Sequence, residues 1–284
     1  MLIIANPLRR PVNHRPLDVA LQEIVDLGFT GLEVCSPHIE LCVTPELRSQ
    51  FSEWVAKLGL RFVRYNSLIP EYFDSLELKS QVALIVEGLQ RDIDRCVDFG
   101  IGQLLSWEGR LTGDREARFG WMLDETVRIF REACAYGEER GVELSLEVHP
   151  FSMGSDVDWL VELCDRVGCA SFGVMYDSAH FAVAHPTSYV DCVIKLAHRI
   201  KHLHFCDSDL ESSEVHFPLG RGKMDVPAVI QALEKVQFSG TVMIDTWLYP
   251  MPQLALKVSL DYVRKHMTHL CGVGSGRKST HDES

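Results

Sequence analysis

Short apolar runs alternate with longer amphipathic stretches along almost the whole chain. The runs are rich in Val, Ile, Leu or Phe, and several follow a glycine that closes the preceding stretch, as in DLGFTGLEV, KLGLRFVRY, DFGIGQLL and ERGVELSLE. Runs of this kind predict buried strands, and the stretches predict helices stopped by a C-terminal glycine. The predicted strands fall at about Leu2–Ala5, Leu32–Cys35, Arg61–Tyr65, Gln103–Trp107, Glu143–Val148, Phe172–Tyr176, Ile200–Phe205 and Thr241–Thr246. Between and after them, helices are predicted over about Pro16–Leu27, Thr44–Lys57, Leu76–Asp98, Arg115–Arg140 and Gln253–His266. Eight strand-then-helix units predict an α/β fold, a single (β/α)8 TIM barrel, over residues 1–271. The polar, Gly/Ser-rich stretch 272–284 is expected to be a disordered tail, or one that packs on a neighbouring subunit.

Composition narrows the function. A length of 284 residues fits one barrel, for which about 250 is typical. The net charge of −12 disfavours a nucleic-acid partner, because phosphate binding relies on clustered Lys and Arg. Nine scattered cysteines without a CxxC, and a start (MLIIANPLRR) with too short an apolar run for secretion, predict reduced thiols in the cytoplasm. No apolar segment approaches the roughly 20 residues of a membrane helix. A doubly wound open sheet would carry the same glycine punctuation. However, no GxGxxG follows the first strand and no GxxxxGK[ST] occurs, so dinucleotide and P-loop functions lack support. PLGRGKMD, after the seventh strand, reads mainly as the start of a helix with Asp225 near its N-terminal turn.

The chemistry lies at the ends of four successive strands. Glu147 closes GVELSLE, Asp177 closes SFGVMYD, His204 lies in IKHLHF and Asp245 follows GTVMI. In a barrel these C-terminal ends converge on one mouth. Three carboxylates and one imidazole form a hard, mostly oxygen donor set that suits one Mn2+, Mg2+ or Co2+ ion; Zn2+ is also compatible. Asp177 also suits a helix cap, and Asp245 an ion pair. His202 points to the same strand face as His204 but lies further from the mouth, as an inner-layer residue. His149 and His180 are placed to face substrate. In the loop after the seventh strand, His216, Arg221 and Lys223 could contact a polar or phosphorylated group. Trp107, Glu108 and Trp247 are candidate pocket walls.

In this order LEVHP, YDSAH, HLHFCDSD, HFPLGRG and MIDTW resemble the xylose isomerase-like TIM barrels, the sugar phosphate isomerase/epimerase superfamily that also contains endonuclease IV. The resemblance runs over nearly the whole chain. It implies a divalent metal held by Glu147, Asp177, His204 and Asp245. It also implies isomerisation or epimerisation of a sugar, ketose or polyol-derived ketone through an enediolate, with Glu147, Asp245 and His180 as catalytic groups. Family members that isomerise sugars carry Glu at the strand-eight position, whereas this chain has the shorter Asp245. That departure raises an alternative, a dehydratase (lyase) of the inosose or dehydroshikimate type. An endonuclease IV-like hydrolase is disfavoured, because the histidines that family places on strands three and four find no match around Asn66 and Glu108. The resemblance implies a small carbohydrate-like substrate and self-association into a dimer or tetramer, while the charge and the lack of a membrane-length apolar run predict no nucleic-acid or membrane partner.

Overall fold

The apolar runs form eight parallel strands: β1 (Ile3–Ala5), β2 (Gly31–Cys35), β3 (Arg61–Asn66), β4 (Gln103–Trp107), β5 (Glu143–Glu147), β6 (Phe172–Asp177), β7 (Ile200–Phe205) and β8 (Thr241–Ile244). In the computed structural model, which describes residues 3–5, 17–35, 44–67, 78–107 and 115–267, they pair in chain order. Pairing of Ile3 with Val242 and Ile4 with Met243 closes the barrel. The helices among the described residues are α1 (Leu17–Leu27), α2 (Pro45–Lys57), α3 (Leu78–Asp98), α4 (Arg115–Glu138), α5 (Val157–Val167), α6 (Ser178–Ala184), α7 (Tyr189–Leu196), α8 (Val226–Lys235) and α9 (Pro252–His266). Glu108 and the tail 272–284 lie outside the described residues.

Glycine sets the return from helix to strand. Gly28, Gly59, Gly100 and Gly141 have φ of 86°, 72°, 65° and 69°, a left-handed backbone that glycine adopts without a Cβ penalty. Side chains then divide by the period of two. Leu144, Leu146, Val174, Leu203, Phe205 and Val242 point out and join one apolar cluster with the helices. The alternate positions Glu33, Arg64, Glu147, Asp177, His202 and His204 are buried outside that cluster, along the barrel axis. The fold therefore places its apolar core between sheet and helices, and a polar column inside the barrel. Asp225 caps α8 by accepting from the Ala228 N–H at 3.0 Å. Among the described residues no helix is long and apolar enough to cross a membrane.

Candidate metal centre

Four consecutive strands deliver the predicted ligands to one point. Glu147 ends β5, Asp177 ends β6, His204 is the last residue but one of β7, and Asp245 directly follows β8. All four are almost fully buried. His204 Nδ1 is the hub, 3.2 Å from Glu147 Oε1, 3.5 Å from Asp245 Oδ2 and 3.7 Å from Asp177 Oδ2. Asp177 uses its other oxygen as the cap of α6: Oδ1 accepts from the N–H groups of Ala179 and His180 at 2.9 and 3.0 Å. Capping and site roles thus coexist on one side chain. Asp245 Oδ1 accepts from the Trp247 N–H at 2.8 Å and lies 3.2 Å from His216 Nδ1.

Histidines and a tryptophan surround the hub. The Trp107 indole N–H donates to Glu147 Oε2 at 3.0 Å. The His149 ring packs 4.1 Å from Trp107 and 4.2 Å from His180 between centroids. His180 Nδ1 lies 3.1 Å from the Val148 carbonyl, which can only accept, so Nδ1 carries the proton and Nε2 is the acceptor in the neutral ring. His216 Nε2 likewise donates to the Ser213 carbonyl at 3.2 Å. Trp247 donates its indole N–H to Glu214 Oε2 at 3.1 Å, joining the loops after β7 and β8. Arg221 and Lys223 instead sit exposed on their loop, and Lys223 pairs with Glu211 at 2.8 Å. His202 lies deeper in the barrel, its Nδ1 2.8 Å from Thr241 Oγ1; burial, then the Arg64 charge, hold it well below the usual imidazole range.

Two buried charges at the centre escaped the sequence reading. Glu33 of β2 lies 2.9 Å from His204 Nε2 and 3.1 Å from Arg64 Nη1 of β3, and both charged side chains are fully buried. A signal existed: every strand of a parallel barrel is covered on both faces, so an acid between Leu32 and Val34 must find a partner inside. Cys206, one alternation beyond His204, also escaped notice; it groups with Asp177 and His216, with ligand atoms within 4.8 Å of one another.

The donor set fits a divalent cation. The ligand atoms of Glu147, Asp177 and His204 lie within 4.8 Å of one another, and Asp177 Oδ2 is buried without a hydrogen bond. One N–H at His204 Nδ1 cannot serve the three carboxylates that face it, so the set calls for a further positive charge. The local fields agree. Burial alone would lower His204, but Glu33 and Glu147 outweigh it and lift the imidazole well above its usual range. Burial alone would raise Asp177, but the imidazoles of His180, His216 and His204 hold it well below the usual carboxylate range. His216 opposes its own burial in the same way, lifted by Cys206, Asp245 and Asp177. A divalent cation among these oxygens would compete with a proton at His204 Nδ1.

A closed eight-stranded parallel barrel with acids and a histidine at the ends of β5–β8 defines a class of protein. The Xylose isomerase-like TIM barrel family matches residues 21–266, and the chain belongs to that family. No curated protein sequence matches the chain. Among solved structures it resembles the IolI protein with a binding zinc atom, at 16% identity and a TM-score of 0.75, over 96% of this chain and 98% of that one. D-Psicose 3-epimerase with D-tagatose, from Clostridium cellulolyticum H10, is 15% identical at a TM-score of 0.72, over 94% of this chain and 99% of that one. An L-ribulose 3-epimerase is 16% identical at a TM-score of 0.74, over the full length of both chains. At these identities the likeness establishes the fold.

Proposed function

We propose that this protein is a divalent-metal-dependent isomerase or epimerase acting on a sugar, ketose or polyol-derived ketone through an enediolate. The observation that carries this is the convergence of Glu147, Asp177 and Asp245 on His204 Nδ1 within 3.7 Å. The sugar epimerases and the zinc-binding IolI protein among its structural neighbours support it.

In this reading Glu147, Asp177, His204 and Asp245 hold one Mn2+, Mg2+, Co2+ or Zn2+ ion. Such an ion would act as a Lewis acid, polarising a carbonyl oxygen and so acidifying the C–H on the neighbouring hydroxyl-bearing carbon. Glu147 takes that proton; the Trp107 N–H on Oε2 fixes the carboxylate against rotation. His180, anchored through Nδ1, donates from Nε2 to the enediolate oxygen when it is protonated. Trp107, His149 and His180 form a wall of packed rings against the substrate's C–H faces. Asp245, or His216 in contact with it, would supply a proton of its own to the carbon, while the abstracted one stays on Glu147 until it exchanges with solvent.

One observation favours a second reading. The Asp245 oxygen not facing His204 accepts from the Trp247 N–H and faces His216, so it is not directed at a substrate carbon. A dehydratase, in which the enediolate expels a β-hydroxyl, needs no second carboxylate there. Incubating the metal-loaded protein with ketohexoses and inososes in D2O distinguishes the two. Deuterium at the carbon next to the carbonyl without net loss of water indicates isomerisation, and a dehydrated product indicates the lyase. Glu147→Gln should reduce either activity by about 1000-fold or more while the fold persists, since the base is lost. Full turnover in that variant would overturn the scheme.

A further inference from the structure

Glu33, in the middle of β2, touches His204 on its Nε2 side, away from the three carboxylates at Nδ1. Its Oε2 lies 2.9 Å from His204 Nε2, across the barrel from β2 to β7, and both side chains are buried. A carboxylate can only accept this hydrogen bond, so Nε2 carries a proton here, and a metal that displaced the Nδ1 proton would meet an Nδ1 lone pair facing Glu147, Asp177 and Asp245. The carboxylate is itself fixed. Arg64 Nη1 donates to the same Oε2 at 3.1 Å, and Arg64 Nη2 donates to Thr241 Oγ1 of β8. A chain of contacts from β8 through β3 and β2 therefore ends on the imidazole of β7. Stability alone is a weak reason for such an arrangement, because burying an acid, a guanidinium and an imidazole costs desolvation that an apolar layer would avoid.

We propose that Glu33 is a positioning residue for the metal centre: held by Arg64, it fixes the tautomer and orientation of His204 so that Nδ1 can bind a divalent cation. This rests on the metal reading given under Proposed function. Two measurements test it, both with Zn2+ as probe. The first is nitrogen NMR of the wild-type protein labelled with 15N-histidine. His204 should carry its proton on Nε2 and bind zinc through Nδ1, with the Nε2–H slow to exchange. Zinc bound through Nε2, or a proton retained on Nδ1 in the zinc-loaded protein, overturns the proposal without recourse to any variant. The second is chelator competition on wild type and Glu33→Gln. The substitution should weaken zinc binding by about 10- to 100-fold, with a faster-exchanging Nε2–H. A double variant, Glu33→Gln with Arg64→Met, which leaves no unpaired buried guanidinium, should show the same loss of affinity if the single variant folds poorly. A purely structural role would lower stability but leave affinity and tautomer unchanged, and that result overturns the proposal. Failure of the wild type to bind zinc would remove the metal centre itself and this inference with it. Zinc bound equally by wild type and variant would remove only the role of Glu33.

Discussion

Asp177 serves two purposes through two oxygens, and the right substitution can separate them. Oδ1 caps α6, while Oδ2 faces His204 without a hydrogen bond. Asparagine caps a helix about as well as aspartate, so Asp177→Asn should lose the charge interaction with the neighbouring imidazoles but keep the cap, and lower the melting transition less than Asp177→Ala. It removes the negative charge facing His204, and metal affinity should fall by roughly tenfold or more, at least the loss typical of outer-shell changes. Asp177→Ala should lose the metal and also about 1 kcal/mol of stability, because the cap goes too. Thermal melts and metal analysis of both variants check this. Equal metal content in Asp177→Asn and wild type would mean that Oδ2 is not a ligand. The residue scale also shows why the sequence carried this site unevenly. Asp177 and Glu147 stand at the ends of apolar runs, where an acid is conspicuous. Glu33 sits inside such a run, and its partner His204 is 171 positions away, so no local pattern could name the pair.

Elements hold these residues in register, and β7 and β8 do so through a close backbone approach. A Cβ at Gly240 would fall on the Lys201 carbonyl group and against the Phe238 ring. Backbone cannot swing aside as a long side chain can. Gly240→Ala should therefore cost about 2 kcal/mol or more, in the range of overpacking, and displace the strand that leads to Asp245. A helical glycine gives the contrast: Gly120 in α4 has open space around a new Cβ, so Gly120→Ala should be neutral or stabilise by about 0.5–1 kcal/mol. Urea midpoints of the two variants read the difference, and equal midpoints would contradict the packing. Most of this framework was legible in the sequence, since alternation of apolar run, helix and glycine is a repeated local signal. Its boundaries shifted by a residue or two where tertiary pairing decides them. β6 runs on to Asp177 because Asp177 pairs with His204, and β8 stops at Ile244, where the backbone turns to offer the Trp247 N–H to Asp245. The approach of β2 to β7 across the barrel was not legible, because it exists only once the sheet has closed.

At the scale of the whole molecule, closure brings strands separated by most of the chain into one charged centre, so the centre should influence global stability. A cation that binds only the folded state stabilises it by mass action, by about 2.7 kcal/mol at a concentration 100 times its Kd. For a domain of this size each kcal/mol raises Tm by about 2–4 °C, so saturating Mn2+, Co2+ or Zn2+ should raise Tm by roughly 5–10 °C. A chelator should reverse the change. The comparison that gives this meaning is Asp177→Asn, which keeps the fold and surface but loses a ligand oxygen. If the Tm increment survives in that variant, the ions are binding elsewhere on a protein of net charge −12. If it vanishes there while wild type responds, the stabilisation originates where β5, β6, β7 and β8 meet, and the barrel is tied together by the same residues that are proposed to carry its chemistry.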